Sequence, residues 1–440
     1  MSKAVSFDQI QQFKQDLDNT PASAALARAV QNVGIYAASH GQFEDTDVPA
    51  VFSDEIETGK VTNQKRSGRC WLFSTLNTMR HDTAKRFGMK ELEFSEAYLA
   101  FYDRLEKSNL FLEQIITTRT KPLTDREVAQ LLAYPNGDGG WFDNAAALAA
   151  KYGIVPKSAQ PETFSSSQTN ELNATLTLKL RKDASELRAA NDAGASEDDL
   201  RAKKQEQLST IYRILAYAYG EPVQQFDFEY RDKDKQFHAD RNITPKEFYA
   251  KYVGWDLDEY VTIASTPEAG KVYYQNYTMP SQSTVVDGRP TQLLNVPHDV
   301  FVQLAIKQIQ GGDTVWFGND VLADMDRKSG TLHGGLFNFS ELFNVDFSFD
   351  KGKRFATGEA EVSHAMTLTG VNLVDGQPTQ WKVENSWGSE NGRDGYFVAD
   401  KQWFDDYVYE VIIKKSLLDD KTRAALATEP VVLPAWDSLA

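Results

Sequence analysis

The chain has 440 residues, 41% of them apolar and 12% aromatic, which suffices for one large domain or a core domain with sizeable insertions. Its net charge of −16, from 47 basic and 63 acidic residues, disfavours a general polyanion-binding surface and anionic membranes. One cysteine excludes an intramolecular disulfide, no stretch approaches the roughly 18 apolar residues of a membrane span, and residues 1–8 lack the apolar core of a signal peptide, so a soluble protein is expected.

Residues 6–40 read as helix. Ser6 is an N-cap with Gln9 three places on, Ile10, Phe13 and Leu17 follow at helical spacing, and a second run covers about 22–33. Residues 41–63 are acidic and irregular. Then comes the stretch that carries most chemistry, residues 64–74, Gln-Lys-Arg-Ser-Gly-Arg-Cys-Trp-Leu-Phe-Ser. A polar turn delivers Cys70 to the start of a helix running to Phe87, with apolar residues at 72, 73, 76 and 79. Taken alone, a cysteine beside Trp and Leu is a small buried hydrophobe. At a helix N-terminus, however, unpaired N–H groups and the positive end of the dipole favour thiolate over thiol. The Gln64 amide can fold back and, with the Cys70 backbone N–H, donate to a carbonyl oxygen acquiring negative charge.

Further helices are predicted at 96 to about 105, capped by Ser95, and around 125–132. The loop Pro135-Asn136-Gly137-Asp138-Gly139-Gly140-Trp141-Phe142 leads into an Ala-rich helix at 144–151, and by itself reads as an ordinary turn. Residues 171–191 and 197–219 form a charged amphipathic helical hairpin, 226–230 alternate as a strand, and Thr244-Pro245 opens another helix. Apart from an amphipathic helix at 299–310, strands prevail from about 294: 314–318, 362–371, 380–384, 396–398 and 408–413. A helical first half facing an antiparallel second half suits a two-lobed α+β enzyme with its cleft between the lobes.

A cysteine nucleophile needs a base, and the base needs an orienting partner. Of six histidines, His81 lies roughly three turns down the Cys70 helix and is too distant. His40 and His238 sit in polar, irregular surroundings, while His298 and His333 lie near a helix start and in a loop. His364 opens a long strand-like run, and a hairpin-like connection at 374–378 brings a second run ending in Glu384-Asn385-Ser386-Trp387-Gly388 beside it. Such a pair can set the Asn385 amide oxygen against one ring nitrogen and leave the other for Cys70. Trp387 can cover that hydrogen bond and exclude water.

Gln-x-x-x-Gly-x-Cys-Trp-x-Phe-Ser resembles the nucleophile segment of papain-type cysteine peptidases, and the longer string over 61–77 is similar to the aminopeptidase C and bleomycin hydrolase family. Ser363-His364-Ala365-Met366 and Asn385-Ser386-Trp387-Gly388 resemble that family at the remaining triad positions, in the same order. The resemblance implies an α+β papain-like two-lobed fold with a large, mainly helical insertion. It implies catalytic roles for Cys70, His364 and Asn385, an oxyanion role for Gln64, and substrate contacts at Gly139, Gly140, Trp387 and the Ala440 carboxylate. Neither metal nor organic cofactor is expected, and the substrates are short peptides. The implied layout is an N-terminal helical extension (1–60), a helical lobe with the nucleophile (61–164), a helical insertion that assembles a homohexamer (165–293), a β lobe with His and Asn (294–415), and a C-terminal helix and arm reaching toward the cleft (416–440). Secreted relatives of papain type carry several disulfides, so the lone cysteine points to the cytoplasm.

Two departures bear on specificity. Trp141 stands where the family has Gln. Only four residues follow Trp436, three fewer than in the tail Trp-Asp-Pro-Met-Gly-Ala-Leu-Ala. The shorter arm leaves up to about 10 Å for extra substrate residues, which makes an oligopeptidase or endopeptidase the alternative to an aminopeptidase. A nucleic-acid-binding cage is the alternative from another class, and the acidic balance disfavours it.

Overall fold

Helices fill the first half of the chain and strands the second. The computed structural model describes residues 3–41 and 48–439. Ser6 and Gln9 form a reciprocal capping box that starts helix Phe7–Asn19. The helical run read over 6–40 is broken into that helix, Ser23–Val33 and Ile35–Ser39, the last break falling at Gly34 with φ of 87°. Of the acidic stretch read over 41–63, residues 42–47 lie outside the described residues.

Helix Cys70–Phe87 is buried on nearly every side, enclosing polar Ser74, Thr75, Asn77, Thr78, Arg80 and His81 along with Leu72, Phe73, Leu76 and Met79. It packs among Glu96–Thr117, which runs well beyond the expected end near 105, and Phe142–Tyr152. The hairpin of Asn170–Asp192 and Glu197–Tyr219 lays Leu172, Leu176, Leu180, Leu187, Ile211 and Leu215 into this same core. The segment expected as an insertion therefore shares one hydrophobic interior with the nucleophile helix.

The second half builds a 12-stranded sheet among the described residues. Its order is Val431–Val432, Gln275–Thr278, Gln292–Asn295, Tyr260–Ala264, Val408–Lys414, Val315–Asn319, His364–Val374, Gln377–Glu384, Tyr396–Asp400, Thr331–Leu332 and Met325–Asp326, with Asp54–Glu55 added along His364–Val374. The sheet thus reaches back to Tyr260, ahead of the boundary expected at 294. One face meets the helical lobe through Trp316, Ala365 and Ile412. The other covers helix His298–Gln310 with Phe317, Met366, Trp381 and Val411. Bonds that stitch helix Cys70–Phe87 to the sheet include Ser74 Oγ donating to the Met366 carbonyl at 2.7 Å and Trp316 Nε1 donating to the Trp71 carbonyl at 3.2 Å. Among the described residues no helix is long and apolar enough to cross a membrane.

Candidate active site

Cys70 is the first residue of its helix, and the turn before it is held by a neighbouring loop. The Gly68 N–H donates to Asp138 Oδ2 at 2.6 Å, and Trp71 Nε1 donates to the Asp138 carbonyl at 2.8 Å. Gly68 is required there, because a Cβ would sit 2.7 Å from Asp138 Oδ1. On the other flank Arg69, 1% exposed, makes paired bonds of 3.1 and 2.8 Å to the Glu162 carboxylate. A turn pinned on both sides gives the thiol a fixed place.

Part of the Cys70 surface remains open, yet burial pushes its thiol up to about 11. The Asp138 charge adds to the rise, while backbone N–H groups of Ala365, Trp71 and Cys70 itself oppose it. Unpaired N–H groups do favour the thiolate, as the sequence implied, but desolvation outweighs them.

His364 stands on the strand beside that thiol, one residue before Ala365. Its Nε2 lies 2.9 Å from Asn385 Oδ1 in a buried setting, which leaves Nδ1 as the free ring nitrogen. Asn385 Oδ1 also accepts the Ser386 N–H at 2.8 Å, so the amide oxygen that meets the ring is itself held. The Trp387 ring lies 5.0 Å from the imidazole, and the Arg327 guanidinium lies 4.5 Å over Trp387. Burial pushes the imidazole down to about 4, against the Asn385 hydrogen bond. The other five histidines are engaged elsewhere: His40 with the Gly41 carbonyl, His81 with Glu384, His238 with Asp232, His298 with Asp405 and His333 with the Gly334 carbonyl.

Gln64 is 6% exposed, and its carbonyl accepts from Ser67 Oγ at 2.7 Å. Its N–H donates to the Ser386 carbonyl at 2.8 Å, its Oε1 accepts from Ser386 Oγ at 2.7 Å, and its Nε2 donates to the Ser67 carbonyl at 2.7 Å. One amide hydrogen remains for a ligand. Gly139 and Gly140 differ. A Cβ on Gly139 would meet open space, whereas one on Gly140 would lie 2.7 Å from the Trp71 ring. Gly140 thus serves packing against the nucleophile helix, and Gly139 alone presents open backbone.

The C-terminal arm is anchored along its length. Val431–Val432 pairs parallel with Gln275–Thr278, Trp436 lies under the Arg126 guanidinium at 4.4 Å, and Lys271 Nζ holds the Asp437 carboxylate at 2.7 and 2.6 Å. Ser438 Oγ donates to Glu268, and Leu439 is buried in a cluster against which Trp141 packs. Ala440, read as the residue whose carboxylate meets substrate, lies outside the described residues.

Sequence reasoning missed Asp138 and Ser386. Asp138 reads as a turn residue in the sequence, although a half-buried carboxylate accepting bonds from Gly68, Thr169 and Asn173 is a structural acceptor of high value. Ser386 lay inside a quoted motif, and its hydroxyl signalled a partner for a neighbouring amide.

The peptidase C1-like family matches residues 4–440. Aminopeptidase C of Lactobacillus delbrueckii subsp. lactis is 44% identical over 442 residues, covering 100% of this chain and 98% of that protein. Aminopeptidase E of Lactobacillus helveticus is 43% identical with 100% of each chain covered. The crystal structure of pepw from Lactobacillus rhamnosis superposes with a TM-score of 0.97 at 49% identity, over 100% of this chain and 99% of that one. Order of residues and full-length similarity converge: the chain belongs to the peptidase C1-like family, in its aminopeptidase C branch of papain-like cysteine peptidases.

Proposed function

We propose that the protein is a cysteine aminopeptidase that removes N-terminal residues from short peptides, with Cys70 as nucleophile, His364 as acid and base, Asn385 as orienter and Gln64 as oxyanion donor. The observation that carries this reading is the buried 2.9 Å contact of His364 Nε2 with Asn385 Oδ1, one residue from the backbone N–H beside the Cys70 thiol. The Cys70 proton passes to His364 Nδ1 as sulfur attacks the substrate carbonyl carbon. The oxygen that gains charge is met by the Cys70 N–H and the remaining Gln64 amide hydrogen. His364 then protonates the leaving amine, the peptide bond breaks, and an acyl thioester stays on Cys70. A water molecule gives its proton to His364 and attacks the thioester, and the thiolate leaves with that proton restored.

Gly139 offers open backbone to an extended substrate, and Trp387 shields the His364–Asn385 bond. The Ala440 carboxylate, at the end of the anchored arm, receives the substrate's α-ammonium. The setting is a reducing one such as the cytoplasm, since the working group is a free thiol. The chain assembles with copies of itself as a homohexamer. Supporting this, Phe7, Ile10, Phe13 and Leu17 form one apolar face on helix Phe7–Asn19, each at least 47% exposed. Digestion of a peptide and its N-acetylated twin tests the activity: only the free amine should be cleaved, by the parent and not by Cys70→Ala. Equal cleavage of both would replace aminopeptidase with endopeptidase.

A further inference from the structure

His81 is excluded as a base by distance, yet it belongs to a buried charged cluster that touches all three segments bearing the proposed chemistry. Glu384 is the last residue of strand Gln377–Glu384, directly before Asn385. Its side chain is fully buried, at 0% exposure. Arg80 Nη2 donates to Glu384 Oε1 at 2.9 Å, and His81 Nε2 lies 3.0 Å from Glu384 Oε2 and 3.2 Å from Arg80 Nη2. Both partners are consecutive residues of the helix that begins at Cys70, with side chains only 7% and 5% exposed. Arg80 Nη1 also donates to the Lys60 carbonyl at 3.0 Å, on the segment that leads to Gln64.

A carboxylate this deep is tolerated because the His81 ring and the Arg80 guanidinium face it, and these with a Thr58 hydrogen bond hold its pKa below the ordinary carboxylate range against desolvation. Burial drives His81 toward its neutral form, so Arg80 and Glu384 carry the balancing charges. On the neighbouring strands Tyr396–Asp400 and His364–Val374, the uncharged Tyr396 and Thr367 stand opposite Glu384. Shifting the strand by one residue would strand one charge from the other inside the protein. The pair therefore has one low-energy register.

We infer that Glu384, held by Arg80 and His81, is a positioning residue that locks the strand carrying Asn385 against the helix carrying Cys70, and so sets the His364 ring on the thiol. The inference rests on the proposed triad, and its effect runs through Asn385 rather than through contact with substrate. In papain-like terms, two lobes that supply opposite halves of one site need a fixed relative register. A buried ion pair supplies it more sharply than apolar packing does, because apolar contacts can slide.

The test uses full-length Glu384→Gln, read as kcat per alkylatable thiol, KM, and the pH profile of Cys70 alkylation by iodoacetamide. The expected result is a fall in kcat of at least about tenfold with KM within about threefold, and alkylation that sets in at higher pH than in the parent. A purely structural role would lower Tm and leave kcat per thiol and the alkylation profile at parental values, which would overturn the inference. Should Glu384→Gln fail to fold, Arg80→Lys, which keeps the charge and loses the forked geometry, carries the same reading with the same two outcomes. The triad itself is tested separately by Asn385→Ala. Full activity in that variant would overturn both the role of Asn385 and the clamp that acts through it, whereas an impaired Asn385→Ala beside a parental Glu384→Gln would overturn the clamp alone.

Discussion

Burial pushes the Cys70 thiol up to about 11 and the His364 imidazole down to about 4, so each group taken apart rests uncharged. Moving the proton from sulfur to ring creates two charges that attract, by about 4 kcal/mol at 4 Å and an effective dielectric near 20. Asn385 matters because it holds the ring for that transfer without adding a charge. Asn385→Ala should lower kcat by roughly 10²-fold and His364→Ala should abolish turnover, measured on one dipeptide substrate. Full activity in Asn385→Ala would remove it from the site. Gln64→Ala should cost about 2.7–4 kcal/mol of transition-state stabilisation, read from kcat/KM.

Glu410, buried on the sheet over Gly318, gives a pH signature. Burial, with repulsion from Asp143, pushes its carboxyl up to about 8. Between about 4.5 and 8 the unfolded chain has released this proton while the folded chain keeps it, so stability falls as pH rises through that window. Glu410→Gln removes the slope, and its Tm gain over the parent should be larger at pH 8.5 than at pH 5; an equal gain at both would contradict the assignment. The contact of His364 with Asn385 was legible because motif strings and strand pairing constrain both locally. The contacts of Asp138, Arg80 and Glu384 were not, since only the tertiary fold brings their partners near.

Elements tell a similar story. The hairpin 364–384 was readable from β-formers flanking an Asp-Gly turn, and its register sets Thr367 opposite Glu384, with Asn385 next along the strand. Strand Tyr260–Ala264 was not, because it is buried on both faces and shows no polar alternation. The loop before helix Phe142–Tyr152 yields a contrast between neighbours. Gly140→Ala forces a methyl toward the Trp71 ring and should destabilise by about 1–3 kcal/mol in denaturant unfolding. Gly139→Ala should keep parental stability and raise KM, because it intrudes only on open cleft. A Gly139→Ala variant with unchanged KM would place the substrate backbone elsewhere.

Over the whole molecule, the two-lobed plan followed from a helical half preceding a strand-rich half. How the hairpin 170–219 joins the nucleophile helix in one core did not, since amphipathic helices do not name the surface they cover. The arm is a whole-chain feature of the same kind, fixed by Lys271, Glu268 and Arg126 from distant parts of the sequence. Lengthening the tail by three residues should narrow cleavage of longer peptides, read by mass of the products; no change would detach arm length from specificity.

The central claim is that one thiol and one imidazole act as a pair. Its most direct measurement is the rate of Cys70 alkylation by iodoacetamide at pH 6 in the parent and in His364→Ala, followed by intact mass. The account predicts a rate at least about tenfold slower in His364→Ala, because a lone thiol with a raised pKa is almost wholly protonated there. Equal rates in the two proteins would contradict it.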